Sequence, residues 1–199
     1  MTTHDQECPR TLPSSQAAAP ETKVFVVTGA LHCLYNRPVD IVRYDEHPEL
    51  FAAYHAEFDG IWPAFLYHDP VSSAHHNRAV KLFAAFDLLL RDGQDVLASA
   101  WGFPIAWDGS LRDLPDGYDN ALVRAVEGHD AGTRPTTLCV GYVKVSKTHT
   151  ARGLAGLILT GMRDAATAAG LQHVVVPVRP TAKHHYPLQP LEEYASWRR

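Results

Sequence analysis

The sequence predicts an α/β domain with a mixed, α+β type of sheet, and three features predict it. Residues 136–180 read as strand, glycine-rich turn, helix and strand, residues 87–107 as an antiparallel hairpin, and residues 48–85 as two helices with apolar stripes. The first unit needs a parallel crossover and the second an antiparallel pair, so one sheet must hold both.

With 199 residues and 46% hydrophobic content the chain can bury one substantial core. Residues 1–22 are rich in Ser, Thr, Pro, Ala and Gln and nearly lack bulky apolar side chains, which predicts a flexible tail before a domain spanning residues 23–199. Residues 24–28 are β-branched enough for a short strand ended by Gly29, and residues 39–44 alternate well enough for the first sheet strand. Pro48 opens a helix whose Leu50, Phe51, Tyr54 and Phe58 share one stripe. Gly60, Pro63 and the turn His68, Asp69, Pro70 break it, and a second helix over 74–85 turns Ala79, Leu82 and Phe83 inward. Together these helices cover one sheet face.

The hairpin reads as a strand over 87–90, a turn over 91–94 that is longer than minimal, and a strand over 95–107 in which Gly102 and Pro104 mark a bulge. Residues 108–134 are hydrophilic, and the spacing of Tyr118, Leu122, Val123 and Val126 predicts a short amphipathic helix there, as an excursion outside the sheet.

The crossover carries the chemistry. TTLCVGYVKV is a strand by composition, and Leu154, Leu157, Ile158, Met162, Ala165 and Ala169 form a helical stripe ended by Gly170. HVVVPVR, residues 173–179, is a buried parallel strand by its β-branched run. Between them, unpaired N–H groups at the helix N-terminus form a site for anionic oxygens, with the helix dipole behind them. Gly153, Ala155 and Gly156 keep side chains away from it, and Arg152 can add a charge-assisted contact. The same glycines would also serve close strand-to-helix packing, and both readings stand at this point.

The formal charge of -4 provides no basic field for nucleic acid or an anionic membrane surface. Apolar runs fall far short of the roughly 20 residues a membrane span needs, and the N-terminus has no basic start and apolar core of a secretory signal, so the cytoplasm is the expected compartment. Cys8, Cys33 and Cys139 lack zinc or redox spacing, and Cys139 reads as a small core residue rather than a nucleophile. His75-His76 and His184-His185 are sequence neighbours that share no face, so no metal site is expected from either pair.

From Val143 to Gly170 the chain resembles the coenzyme A-binding motif of the GNAT-type acyltransferase superfamily, whose turn reads Gln/Arg-x-x-Gly-x-Gly/Ala. Here it is Thr150, Ala151, Arg152, Gly153, Leu154, Ala155, with Thr150 in place of the usual Gln or Arg. The stretches WGFPIAWDGS, LPDGYDNALV and VPVRPTAKHHYPLQPLEEYASW are similar to a bacterial GNAT-like subgroup and, more distantly, to GNAT-like loading domains of polyketide synthases. The resemblance implies a GNAT-like acyl-CoA N-acyltransferase fold that lacks further C-terminal strands. It implies acetyl-CoA or another acyl-CoA as substrate, a small-molecule or protein amine as acceptor, and an acyl carrier protein thiol as an alternative one. A shortened, non-catalytic domain that binds coenzyme A or a partner protein is the other alternative, and a homodimer is compatible with the exposed edge that missing strands would leave at residues 174–176.

The resemblance further implies that the strand at 173–179 splays from the one at 136–145 and that the pantetheine arm enters the gap. Val143, Val145 and Thr150 to Gly156 would then hold the cofactor, and backbone N–H groups near residues 141–145 would polarise the thioester. Pro177, which can donate no ladder bond, fits such a divergence and fits a plain edge strand equally. Tyr194 is the preferred proton donor and Tyr186 the second, though either can be a packed aromatic residue. His149 is the candidate base, and could instead contact phosphate or water. Arg179 and Lys183 could pair with the nucleotide, Lys183 more readily as a solvated surface charge.

Overall fold

The protein is described here from a computed structural model covering residues 39–62, 68–178, 183–186 and 188–197. The predicted tail at residues 1–22 and the strand at 24–28 lie outside the described residues. Strand β1 is Asp40–Arg43, followed by helices α1, Phe51–Phe58, and α2, Pro70–Leu82. The hairpin strands are β2, Asp87–Asp92, and β3, Asp95–Ile105. Then come α3, Tyr118–Asp130, β4, Thr137–Val145, α4, Leu154–Ala168, β5, His173–Val175, and α5, Leu191–Ala195. The sheet order is β1-β2-β3-β4-β5, antiparallel through β4 and parallel between β4 and β5. Among the described residues no helix is long and apolar enough to cross a membrane.

The register sorts side chains onto two faces. Asp87, Trp101 and Tyr142 stand opposite one another across three strands, and Leu89, Ser99 and Lys144 form the next row on the same face. Contacts of Tyr54 with Tyr142, His76 with Trp101 and Tyr118 with Phe103 bring α1, α2 and α3 to that face. The other face carries α4, whose Gly161 lies against Ile41 and whose Met162 reaches the backbone of Gly102. Leu154, Ile158 and Met162 are fully buried there.

Several expectations need correction. Helix α2 begins four residues earlier than its apolar spacing suggested, because Asp69 is an N-cap that accepts from the Ser72 N–H at 2.8 Å and Pro70 occupies the first turn. The hairpin loop is only Gly93 and Gln94, since Asp92 pairs with Asp95. Helix α3 is no excursion, for its Leu122, Ala125 and Val126 are buried in the main core, while Val123 lies off that face. The last strand ends at Val175 instead of running to 179. Helix α4 stops where expected: Gly170 N–H donates to Thr167 O and Leu171 N–H to Ala166 O, the paired bonds of a Schellman cap. Ala169, at the end of its predicted stripe, is exposed.

Candidate active site

Two features of β4 build the site. The first is a bulge. Trp101 pairs with Tyr142 and Gly102 with Val140, so Gly141 is the extra residue, on β4 rather than within β3 where Gly102 and Pro104 suggested it. A Cβ on Gly141 would lie 2.9 Å from the Trp101 ring and 3.3 Å from that of Phe103, so only glycine lets the bulge close over these two aromatic residues. The second is a divergence. Strand β5 pairs with β4 only over Thr137 to Cys139 and then leaves it, with Pro177 just beyond the separation.

Ser146 N–H donates to Leu97 O at 2.9 Å. Because antiparallel ladder bonds recur at alternate residues, Lys144 and Tyr142 turn their backbone groups toward β3. Val143 and Val145 therefore point theirs the other way, into the gap that β5 has opened. That gap leads to the turn before α4.

In the turn, Ala151 at φ 60° and Gly153 at φ 74° are both left-handed, which curls the chain so that successive N–H groups converge ahead of the helix. Ala151, Arg152, Gly153, Ala155 and Gly156 are exposed, whereas Leu154 is 1% exposed and anchors the helix start in the core. Nothing lies within 4 Å of a Cβ built on Gly153 or Gly156, so close packing does not account for either glycine. Gly156 has an ordinary helical backbone as well. Its missing side chain clears space only for something approaching from outside.

On the helix-covered face, behind the bulge, lies a buried polar chamber. Lys144 is 9% exposed, donates to Tyr54 Oη at 3.0 Å, and has its ammonium 4.4 Å from the Tyr142 ring centroid, 5.3 Å from Tyr54, 5.4 Å from Trp62 and 5.9 Å from Phe58. Asp87 is 6% exposed, and burial pushes its carboxyl up to about 7 against the opposing pull of Lys144. Burial, then Lys144, lowers the His76 imidazole, and burial, then Asp87, raises the Tyr142 phenol. Asp87 Oδ1, Ser99 Oγ, Trp101 Nε1 and His76 Nδ1 are buried without a hydrogen-bond partner. Such orphans cost about 1–3 kcal/mol each, and four on neighbouring side chains favour an occupant that would pair them. Trp62, 36% exposed, stands at its rim.

No protein-family profile matches the chain. In sequence it is 32% identical over 173 residues to an arginine N-acetyltransferase, AvaD, of Aspergillus versicolor; the match takes in 82% of this chain, which spans 59% of the relative's length. In structure it matches the loading GNATL domain of CurA from Lyngbya majuscula with a TM-score of 0.53 and 13% identity, over 81% of this chain and 75% of that one. That likeness shows the fold, which is GNAT-like. A GNAT-like decarboxylase, GphF, in complex with isobutyryl-CoA also matches, at a TM-score of 0.47 and 15% identity, over 78% of this chain and 74% of that one.

Within this GNAT fold the residues named from sequence fall into two groups. Val143 and Val145 turn their backbone groups to the gap, and Thr150 to Gly156 form the turn before α4. Tyr194, 7% exposed, and Tyr186, 43% exposed, meet each other at 5.9 Å between ring centroids, and both meet Trp197. Lys183 donates to Tyr186 O and lies over the Tyr194 ring, so it braces this cluster. His149 sits between β4 and the turn with Nδ1 2.9 Å from Thr148 Oγ1 and 3.0 Å from Ser146 Oγ. Cys139 is a core residue whose thiol burial pushes up to about 12, which removes it as a nucleophile. Arg179 lies outside the described residues. An open cleft of about 290 Å³ near Arg124 and His129 includes none of these side chains.

Local sequence pointed to His149 and not to the chamber, because β4 itself carries no Glu or Asp. The carboxylate comes from β2, two strands away, and only the register brings it there. A signal was present: Lys144 interrupts a strand that is otherwise apolar, and Asp87 opens the buried run DLLL.

Proposed function

We propose that this chain is an acyl-CoA-dependent N-acyltransferase that moves an acetyl or other acyl group from coenzyme A to an amine. The observation that carries this reading is the pairing of outward-turned backbone at Val143 and Val145, where β5 has left β4, with the open, left-handed turn at the N-terminus of α4. The pair suits a molecule with an amide-bearing arm at one end and a pyrophosphate at the other. The arm would pair with Val143 and Val145, as β5 does further back, and the pyrophosphate would take the N–H groups of residues 152–155, with Arg152 adding charge. His149, beside the turn, is placed to reach either the phosphates or the thioester end.

Transfer needs no covalent enzyme intermediate. The amine nitrogen attacks the thioester carbon, the C–N bond forms, the C–S bond breaks, and the departing thiolate takes a proton. Backbone N–H groups at the Gly141 bulge would stabilise the developing oxyanion, and Tyr194, or Tyr186 beside it, would supply the thiolate proton. The relative's name supports an amine acceptor of small size, and L-arginine is the first to try. The likeness to a loading domain supports a second reading, a carrier-protein thiol as acceptor, which a loading assay with a pantetheinylated carrier protein distinguishes.

Calorimetric titration with acetyl-CoA tests the proposal. Gly156→Glu is the useful control, since a side chain there meets nothing in the protein itself, whereas Gly153→Glu also strains a left-handed backbone. Binding by the native chain that Gly156→Glu weakens at least tenfold supports the reading. A folded protein that does not bind acetyl-CoA overturns it.

A further inference from the structure

Asp87 is the one buried carboxylate among the described residues, and its Oδ1 has no donor. It stands in the row Asp87, Trp101, Tyr142, whose last member is the first residue after the Gly141 bulge. Val143, next in the chain, turns its backbone toward the gap where β5 has left β4. The chamber therefore lies beside the stretch of β4 where a thioester would sit, on the face opposite α4. We propose that the acceptor enters this chamber as a cationic amine or guanidinium, and that Asp87 receives its proton while Lys144 keeps Asp87 charged. The assignment rests on the acyltransferase reading and goes beyond it by naming the acceptor site, its charge class and the base.

An unpaired, buried carboxylate oxygen is complementary to a charged N–H donor, which satisfies Oδ1. Lys144 is not free to compete for this carboxylate. Its ammonium is held by the Tyr54 hydroxyl and four rings, and among the described residues it makes no ion pair with Asp87 within 4 Å. It acts at longer range, favouring the ionised carboxylate that burial disfavours. The protons balance as follows. The ammonium of the acceptor gives one proton to the Asp87 carboxylate, the freed nitrogen forms the C–N bond as the C–S bond breaks, the tyrosine donor protonates the thiolate sulfur and is reprotonated by the nitrogen's second proton, and Asp87 returns the first to solvent. A base that titrates near neutrality suits this step. The groups acting on Asp87 are Lys144 and Tyr142 on β4 and Tyr44 and Asp45 in the turn after β1, while His76 on α2 couples to Lys144 and Tyr54 on α1 to Tyr142.

The test uses the full chain, with L-arginine and n-butylamine as probes. Trp62 and Trp101 report occupancy by fluorescence, and thiol release from acetyl-CoA reports turnover, both followed from about pH 5.5 to 9. At pH 8 we expect a saturable amine-dependent signal that Asp87→Asn weakens at least tenfold, with turnover falling about 100-fold, while acetyl-CoA affinity in that variant stays within twofold. Lys144→Met should move the acid limb of the pH profile to higher pH, and Lys144→Arg should move it back. Neither probe giving a signal in a protein that binds acetyl-CoA, or Asp87→Asn behaving as the native chain, overturns the assignment of Asp87. A Lys144→Met variant with an unshifted profile overturns the role of Lys144. If acetyl-CoA fails to bind, the acyltransferase reading falls, while the amine titration still decides whether the chamber holds a cation.

Discussion

The turn before α4 and the chamber behind the Gly141 bulge are built on opposite principles. The turn is exposed and works with backbone N–H groups that solvent satisfies when nothing else does, so it costs the fold little. The chamber is buried and works with side chains, four of which keep a polar atom unpaired, so it lowers stability whenever it is empty. Mutations should therefore separate cleanly. Changes in the turn should alter ligand binding with little effect on stability, and changes in the chamber should alter both, even in opposite directions.

The largest effect expected is at the hinge between the two regions. Gly141→Val places side-chain atoms where the Trp101 and Phe103 rings already are, and should cost about 2–4 kcal/mol in urea unfolding along with loss of acetyl-CoA binding. A near-neutral result would show that the bulge can relax, and would detach the chamber from the gap beside β4.

Next comes the pH dependence of stability. The folded-state carboxyl of Asp87 is raised from 3.8 to about 7, so the folded protein binds this proton more tightly than the unfolded chain does. That contribution is fully present below about pH 4 and is lost as pH rises to about 7, a fall on the order of 3–4 kcal/mol by linkage. Asp87→Asn should remove the slope and be more stable than the native chain at pH 8, with the gap closing near pH 4. Parallel unfolding curves of the two proteins across this window would mean that Asp87 is not buried as described.

A smaller change sharpens the other side of the comparison. Gly153→Ala adds only left-handed strain, about 1 kcal/mol, because no atom stands near the new Cβ. Gly156→Glu should shift the melting midpoint least of all, within about 0.5 kcal/mol, yet weaken acetyl-CoA at least tenfold. Equal losses of stability and binding at Gly156 would break the distinction between the two regions.

The last strand is the weakest part of the frame. Val174, Val176 and Val178 are 38%, 45% and 83% exposed, which leaves β5 as an apolar edge among the described residues. Light scattering at rising concentration should detect association through it, and Val176→Lys should reduce that association.

Local signals carried the fold a long way. The stripe of α4, its Gly170 terminator, the hairpin and the crossover could all be read from spacing, because each depends on residues within one or two turns of each other. Errors arose where a cap or a partner outweighed the apolar pattern. Asp69 and Pro70 looked like a turn because they start a helix and carry no apolar stripe of their own, and residues 118–130 looked detached because their hydrophilic flanks hid a buried face that meets α2 and the sheet.

The sequence by itself determined the glycine-rich turn before α4, since glycine positions, helix start and strand end are all encoded within a few residues of one another. Only the tertiary structure decided what faces the far side of β4. Asp87, Ser99, Trp101, Tyr142 and Lys144 come from three strands, and their convergence depends on two registers and one bulged residue. A single-residue slip in either register would turn these side chains to the α4 face, and no local pattern in the chain records which register the packed core selects.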